Sequence, residues 1–258
     1  MAKKCLCLYG RFFLENLNLM RAENLNRLNS TNIKIDNLYY LHYKSYHEDL
    51  FTAFDKFAIG DLLDIGCGNK PYENKLVGKI TKYVGVDIIQ SSDEKVDHLC
   101  PANNIPFENN SFDTIISTQT IEHVEDHQGL VNEAFRLLKT DGIFILSGPL
   151  YWPLHEEPYD YFRFTKHGFR YILEKAGFEV LEIKSNGGKW SVAGQAFLHA
   201  LYPQIYSISG FKGKIMRAIL KLVGGIKSLN KFFVFMDNQG TIDYSNTMNY
   251  VIVAKRAK

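Results

Sequence analysis

Short apolar runs alternate with longer amphipathic segments from residue 61 onward. Each run is a few residues long and mostly apolar, which is typical of strands buried on both faces of a parallel sheet. The pattern predicts seven such strands, at 61–65, 83–87, 95–99, 112–117, 143–147, 178–183 and 250–254. The sheet is therefore expected to have helices on both faces.

Helical periodicity separates several of these runs. The segment 128–139 carries its apolar residues on one stripe, and Gly142 follows at the stop position. Thr165 can cap a further helix that ends at Gly177. Strands and helices in this order predict an α/β fold with a doubly wound, mostly parallel seven-stranded sheet.

The remaining segments flank or interrupt this core. Residues 1–60 read as a helical leader with an aromatic-rich amphipathic stretch at 43–57. The core comprises 61–185 and 248–258. The intervening residues 186–247 are far too many for an ordinary connection between strands, and they are expected to form a lid or an interaction surface.

Composition is consistent with one globular domain that carries an elaboration. The chain has 258 residues, of which 46% are hydrophobic, so it can bury a sizeable core. Its 30 basic and 28 acidic residues give a formal net charge of +2, which implies no global attraction to nucleic acid.

The cysteines do not form a disulfide scaffold. Cys5, Cys7, Cys67 and Cys100 are too few and too unevenly spaced, so a reducing, cytoplasmic environment is expected. Cys5 and Cys7 lack a second ligand pair at zinc-site spacing. The longest uncharged stretch, 143–154, is too short to span a bilayer as a helix.

The segment 61–69 is the most specific in the chain. A buried strand runs directly into Gly66 and Gly68, where glycine allows a sharp turn and a close approach to a ligand. A dinucleotide fingerprint would need a third glycine near Pro71. Its absence favours a ligand without phosphates.

Two carboxylates accompany these glycines. Asp87 ends the next strand, about twenty residues on, where it can accept hydrogen bonds from both hydroxyls of a ribose. Asp64 can offset the charge of an amino group. S-adenosylmethionine offers both groups. Alternatively, Asp64 and Asp87 are strand-end turn formers; their joint spacing with the glycines favours the cofactor.

Five segments carry a family resemblance: DLLDIGCGNKPY, YVGVDI, IPFENNSFDTIISTQTIEHVED, EAFRLLKTDGIFILSGP and HEEPYDYFRFT. Over residues 50–183 the chain resembles the class I S-adenosylmethionine-dependent methyltransferases, which implies a Rossmann-like methyltransferase fold. The last segment resembles a subfamily often met in cell-surface polysaccharide and small-molecule biosynthesis.

The resemblance also implies a set of cofactor-binding residues. They are Asp64, Gly66, Cys67 and Gly68 at the methionine portion, Asp87 and Ile88 at the ribose and adenine, Asn104 and Ile105 beside the adenine, and Gln119 and Thr120 under the cofactor. Many relatives have an acidic residue for the adenine amino group where this chain has Pro101. That contact is then expected from backbone or from a neighbour such as Asn103.

Two histidines are candidates for a general base, which methyl transfer to a hydroxyl requires. His155 is the first candidate, because it follows the fifth strand at the carboxyl end of the sheet, where ligands of such folds bind. His123, after the fourth strand, is the second. Either could instead have a structural role, hydrogen-bonded to a loop.

The loop after His155 is rich in polar and aromatic side chains that could contact a substrate. They are Glu156, Tyr159, Asp160, Tyr161 and Arg163. Alternatively, Arg163 pairs with Glu156 or Asp160 and holds the loop closed, and the tyrosines are core or interface residues.

No metal site is expected from the sequence. Glu122, Asp126 and His127 lie close together along the chain, but no ligand pair has a recognised spacing. Their charges are predicted to be solvated at the start of a helix.

Residues 212–231 contain six basic residues and no acidic one, with apolar residues at helical spacing. A basic amphipathic helix can lie on an anionic membrane through 211–231, cap a site, or pair with another subunit. The glycines at 213, 224 and 225 weaken the helix, which favours a lid or interface.

The sequence thus predicts a methyltransferase that transfers a methyl group from S-adenosylmethionine to a small polar acceptor. A sugar hydroxyl in surface polysaccharide or glycolipid biosynthesis is the leading example. The alternatives are a non-catalytic S-adenosylmethionine-binding protein, or a methyltransferase acting on an isoprenoid or quinone-type lipid at the membrane surface.

Overall fold

The computed structural model describes residues 31–222 and 224–257. Its strands form one seven-stranded sheet of order β3-β2-β1-β4-β5-β7-β6. The strands are β1 (Gly60–Ile65), β2 (Ile80–Asp87), β3 (His98–Leu99), β4 (Phe112–Thr118), β5 (Leu138–Pro149), β6 (Phe178–Asn186) and β7 (Asn249–Arg256).

Helices cover the sheet. They are α1 (Tyr40–Phe57), α2 (Glu73–Leu76), α3 (His127–Leu137), α4 (Lys166–Ala176), α5 (Lys189–Ser207), α6 (Gly210–Leu222) and α7 (Gly225–Asp237), together with a 3₁₀ turn at Ile121–His123. Thr165 and Gly177 have the capping roles predicted from sequence, whereas Gly142 lies within β5 and not at a helix end. Thr165 accepts a hydrogen bond from the Gly168 amide, and Gly177 ends α4 in a left-handed conformation.

The sheet confirms the predicted class. Strands β1 to β5 pair in parallel, whereas β7 is antiparallel to both β5 and β6. The chain winds outward to β2 and β3 on one side of β1, and to β4 and β5 on the other. The strand order therefore reverses between β1 and β4, which is where ligands bind in open α/β sheets.

Several element boundaries differ from those predicted, and two of the differences have a clear local cause. The predicted helix 128–139 ends at Leu137, because Leu138 turns to an extended conformation and pairs with Phe112 of β4. The predicted strand 95–99 contracts to β3. Its first residues form a loop instead, in which the Val96 amide donates to the Gln90 side chain.

The core has one layer on each face of the sheet. On one face, α3 and α4 bury Leu130 and Phe169 against the strands. On the other, α1 buries Tyr46, Leu50 and Phe54. The parallel strands are thus apolar on both sides, as their sequence predicts.

The residues between β6 and β7 pack against the described part of the leader. The side-chain amide of Gln195 donates to the Leu38 carbonyl over 3.1 Å. The side-chain amide of Asn230 donates to the Ile35 and Asn37 carbonyls over 2.8 and 2.9 Å. Cys5 and Cys7 lie outside the described residues. Within the described ranges, no helix is both long enough and apolar enough to cross a membrane.

Candidate active site

The turn after β1 has the tight geometry that the glycines predict. Gly66 has a φ of +78°, and a Cβ added there would overlap the Thr120 side chain. The Gly66 and Cys67 amides both donate to the Val86 carbonyl, over 2.9 and 3.1 Å. The turn is therefore held against the end of β2, and a substituent at Gly66 would displace Thr120.

Asp87 is fixed at the end of β2. Its carboxylate accepts the Gly68 amide over 3.1 Å and the Ile88 amide over 2.7 Å. An ionised carboxylate can accept about four hydrogen bonds, which is a property suited to holding ribose hydroxyls. The Ile88 side chain is 65% exposed and offers an apolar surface beside the carboxylate.

Asp64 is buried at the end of β1. Its Oδ2 accepts the Tyr83 hydroxyl over 2.5 Å, whereas Oδ1 has no hydrogen-bond partner among residues 31–222 and 224–257. Burial raises the pKa of Asp64 to about 7. A buried carboxylate of this kind is stabilised by a cationic group, such as the ammonium of an amino acid.

A cavity of about 640 Å³ opens at the switch point, a volume that accommodates a nucleoside-sized ligand. It is lined by residues from both sides of the topological reversal. Of the residues predicted from sequence, the lining includes Gly66, Asp87, Ile88, Thr120, His123, Tyr159 and Tyr161. Members of both the predicted cofactor set and the predicted substrate set thus share one cavity.

Other predicted cofactor residues lie outside this lining: Asp64, Cys67, Gly68, Asn104, Ile105 and Gln119. Ile105 is 2% exposed and packs in the core, and its amide donates to Glu133. Pro101, Ala102 and Asn103 occupy the wall instead. Because Ile105 turns toward the core, residues 101–103 rather than Asn104 and Ile105 form the cavity wall at this point.

His123 and His155 come together across the loops that follow β4 and β5. Their Nε2 atoms are 3.1 Å apart, and their rings meet edge to face. His123 lines the cavity, whereas His155 is not among the residues that line it. Of the two candidate bases, His123 is therefore the one at the cavity wall, where Tyr159 and Tyr161 of the loop after β5 join it.

Glu122 contradicts the prediction of a solvated charge. It is fully buried, because the 3₁₀ turn directs it under the loop 159–162, whose Tyr161 amide donates to the Glu122 carbonyl. Burial raises the pKa of Glu122 to about 7. For Asp126 the prediction is correct, since its carboxylate accepts the Gly129 amide at the start of α3.

The loop after β5 is closed by an ion pair. Arg163 donates to both carboxylate oxygens of Asp160, over 2.6 and 2.8 Å, and Asp160 in turn accepts the His155 amide. The Asp160 side chain is 1% exposed. The alternative in which Arg163 pairs with Asp160 is therefore confirmed, and within the predicted substrate loop the tyrosines Tyr159 and Tyr161 face the cavity.

Sequence reasoning missed two contributors to the site. Tyr83 holds Asp64, and Glu122 lies beneath the histidines. Tyr83 begins the strand run predicted at 83–87, and its position next to β1 in register with Leu62 could have indicated the contact. Nothing in the local pattern around Glu122 indicates its burial.

A methyltransferase domain model matches residues 63–146, which include the glycine turn, Asp87 and His123. The chain carries a class I S-adenosylmethionine-dependent methyltransferase domain. Its cofactor is S-adenosylmethionine, which fits the buried Asp64 carboxylate and the glycine turn described above.

Two curated proteins are similar in sequence to the part of the chain that contains this methyltransferase domain. A probable S-adenosylmethionine-dependent methyltransferase of Mycolicibacterium smegmatis is 28% identical over 149 residues, covering 52% of this chain and 58% of that protein. A rice protein, 2-methyl-6-phytyl-1,4-hydroquinone methyltransferase 1, is 29% identical over 118 residues. That match covers 41% of this chain and 31% of the rice protein. The chain thus spans less than two thirds of either relative.

Solved structures share the fold of the methyltransferase domain. The [4+2]-cyclase SpnF superposes with a TM-score of 0.52 at 14% identity, covering 84% of this chain and 83% of its own. This likeness establishes architecture alone. Because SpnF is a cyclase, the fold does not by itself fix the reaction.

Proposed function

We propose that the chain is an S-adenosylmethionine-dependent methyltransferase that acts on a hydroxyl group of a small acceptor. The observation that carries the proposal is the cavity itself. One end has Gly66 and Asp87, which suit the cofactor, and the same lining continues to His123, Tyr159 and Tyr161. A cofactor and an acceptor bound there would be neighbours.

The cofactor supplies an electrophilic methyl group, so the protein chiefly has to align the reactants and exclude water. Asp64 would hold the amino group of the cofactor, and Asp87 would hold its ribose. An acceptor hydroxyl bound in the cavity would lie beside His123, and the proton that it loses on methylation would leave toward solvent past that residue.

The leading acceptor is a sugar hydroxyl. Tyr159 and Tyr161 present aromatic rings and hydroxyl groups at the cavity. Such rings can pack against the apolar face of a sugar while their hydroxyls form hydrogen bonds. The resemblance of the HEEPYDYFRFT segment to enzymes of surface polysaccharide biosynthesis supports the same class.

A second acceptor class, an isoprenoid or quinone-type lipid, is favoured by a separate observation. Helices α6 and α7 combine six basic residues with exposed apolar side chains, among them Phe211 and Leu222. A surface of this composition suits an anionic membrane. The hydroquinone methyltransferase among the relatives also supports it.

The test is turnover with a panel of nucleotide sugars, glycans and prenylated hydroquinones, read as formation of S-adenosylhomocysteine. The wild-type chain is expected to methylate one class, and Asp87→Ala is expected to lose at least tenfold in affinity for S-adenosylhomocysteine by calorimetry. Asp93→Ala, at an exposed position of the next loop, is the matched control.

Two outcomes would contradict the proposal. Undiminished binding to Asp87→Ala would remove the ribose assignment. Tight cofactor binding without turnover on any hydroxyl acceptor would favour the non-catalytic alternative, in which the fold holds the cofactor for another purpose.

A further inference from the structure

The hydrogen-bond partners of the ring nitrogens determine which tautomer His123 and His155 each adopt. His123 Nδ1 lies 2.9 Å from the Tyr159 carbonyl oxygen, which can only accept, so Nδ1 carries the hydrogen. His155 Nδ1 lies 3.2 Å from Asp160 Oδ2 and 3.2 Å from the Pro153 carbonyl oxygen, which are also acceptors. Each neutral imidazole therefore has its lone pair on Nε2.

These two lone pairs face each other. The Nε2 atoms are 3.1 Å apart, which is unfavourable for two acceptors unless a proton or a cation lies between them. Two imidazoles bound to one metal at about 2.0–2.1 Å would have their nitrogens roughly 2.9–3.4 Å apart, for angles between octahedral and tetrahedral. The observed separation falls within that range.

Glu122 supplies an independent observation. It is fully buried, and neither carboxylate oxygen has a hydrogen-bond partner in the described parts of the chain. Its Oε1 lies 3.9 Å from His123 Nε2, and one donor atom from each of Glu122, His123 and His155 lies within 4.8 Å of the other two. A buried carboxyl group directed at two imidazole nitrogens is stabilised either by a proton or by a compensating cation.

We propose that Glu122, His123 and His155 form a binding site for one divalent transition-metal ion. Two imidazoles and one carboxylate suit zinc, iron or manganese better than magnesium or calcium, which prefer oxygen ligands. The contacts of the two Nδ1 atoms support the assignment. Metal-binding histidines characteristically donate their second ring N–H to a carboxylate or a backbone carbonyl. Asp160 and the Tyr159 carbonyl occupy those positions.

The metal ion would also take part in the proposed methyl transfer, and this part of the inference rests on the proposed function. His123 lies at the cavity wall, so a cation bound there would face the acceptor. A divalent cation lowers the pKa of a neighbouring hydroxyl and favours loss of its proton as the methyl group is transferred.

The test measures binding rather than turnover. The purified full chain is stripped with a chelator, loaded separately with Zn²⁺, Mn²⁺ or Co²⁺, desalted, and analysed for metal content. The wild-type chain is expected to retain one ion. Glu122→Gln and His155→Gln are expected to lose at least tenfold in affinity, and Asp160→Asn about 10-fold to 100-fold, because it releases the His155 ring.

A control separates the site from general histidine binding and from misfolding. His167→Gln, at an exposed position on α4, is expected to bind the ion like the wild type. Cobalt bound by the wild type should give visible absorption bands that Glu122→Gln alters. Affinity for S-adenosylhomocysteine should stay unchanged in Glu122→Gln, which shows that the fold is intact.

Retention of only trace metal by the wild type would overturn the proposal and leave a shared proton between the histidines. Equal retention by the wild type, Glu122→Gln and His155→Gln would overturn it as well. Stoichiometric metal binding with no methyl transfer to any hydroxyl would leave the metal site standing and contradict the proposed function alone.

Discussion

Gly66 and Gly78 both have left-handed backbone conformations, with φ of +78° and +82°, but their surroundings differ. A Cβ at Gly66 would overlap Thr120, whereas nothing lies within 4 Å of a Cβ at Gly78. An alanine at either position meets the same conformational strain, and only at Gly66 does it also meet a steric contact. The pair therefore separates backbone strain from close packing at the cofactor turn.

Gly78→Ala is expected to lower the free energy of unfolding by about 1–2 kcal/mol through strain alone. Gly66→Ala is expected to lower it by roughly 2–4 kcal/mol, because displacement of Thr120 adds to the strain. Chemical denaturation measures both changes. Calorimetry should show at least a tenfold loss of S-adenosylhomocysteine affinity for Gly66→Ala only. Equal effects of the two substitutions would show that Thr120 does not constrain the turn.

Asp64 links cofactor binding to pH. Burial raises its pKa from 3.8 to about 7, so the folded chain without cofactor holds this proton more tightly than the unfolded chain. The resulting contribution to stability is fully present below pH 3.8 and is lost as the pH rises through about 7. An ammonium group beside Asp64 favours the ionised form and should release the proton.

Two measurements follow for Asp64. The difference in unfolding free energy between the wild type and Asp64→Asn should shift against the wild type as the pH rises from 4 to 8, which isolates this group from other titrating residues. Calorimetry near pH 6.5 in buffers of different ionisation enthalpy should show proton release on S-adenosylhomocysteine binding to the wild type. Identical proton release by Asp64→Asn would assign the proton to another group.

Helices α6 and α7 expose large apolar side chains beside basic ones, a combination that packing within the fold does not require. Phe211 and Leu222 are 77% and 86% exposed, and residues 212–231 contain basic but no acidic side chains. No residue of the described part of 186–247 lines the cavity. Apolar and basic groups together match a surface of anionic lipid.

Flotation with vesicles tests this match. The chain is expected to bind phosphatidylserine vesicles, to bind phosphatidylcholine vesicles weakly, and to dissociate as salt is added, because screening weakens attraction to the lipid charge. The double variant Phe211→Gln and Leu222→Gln should reduce binding several-fold. Val77→Gln, which changes a residue 73% exposed in the β1–β2 connection, is the control. Equal binding by both variants would exclude α6 and α7 as the contact.

For the whole molecule, sheet topology brings distant segments together. The carboxyl ends of β1, β2, β4 and β5 lie at one edge, and the loops that follow them supply the glycine turn, Asp87, His123 and His155. The antiparallel β7 follows the helices α5 to α7 and inserts between β5 and β6, and α5 and α7 pack on α1. The site is therefore assembled on the parallel half, while the added helices lie elsewhere.

The pattern of residues along the chain was enough to predict the strands, their class of sheet, and the turn with Asp64, Gly66 and Asp87. These features follow from hydrophobic periodicity and from residues placed at the ends of consecutive strands, and both are local properties of the chain. Tertiary structure alone decided that Ile105 turns into the core and that Glu122 is buried. It also brought His123 and His155, 32 positions apart, into contact. Such contacts depend on how two loops pack together, and residue spacing along the chain does not encode that packing.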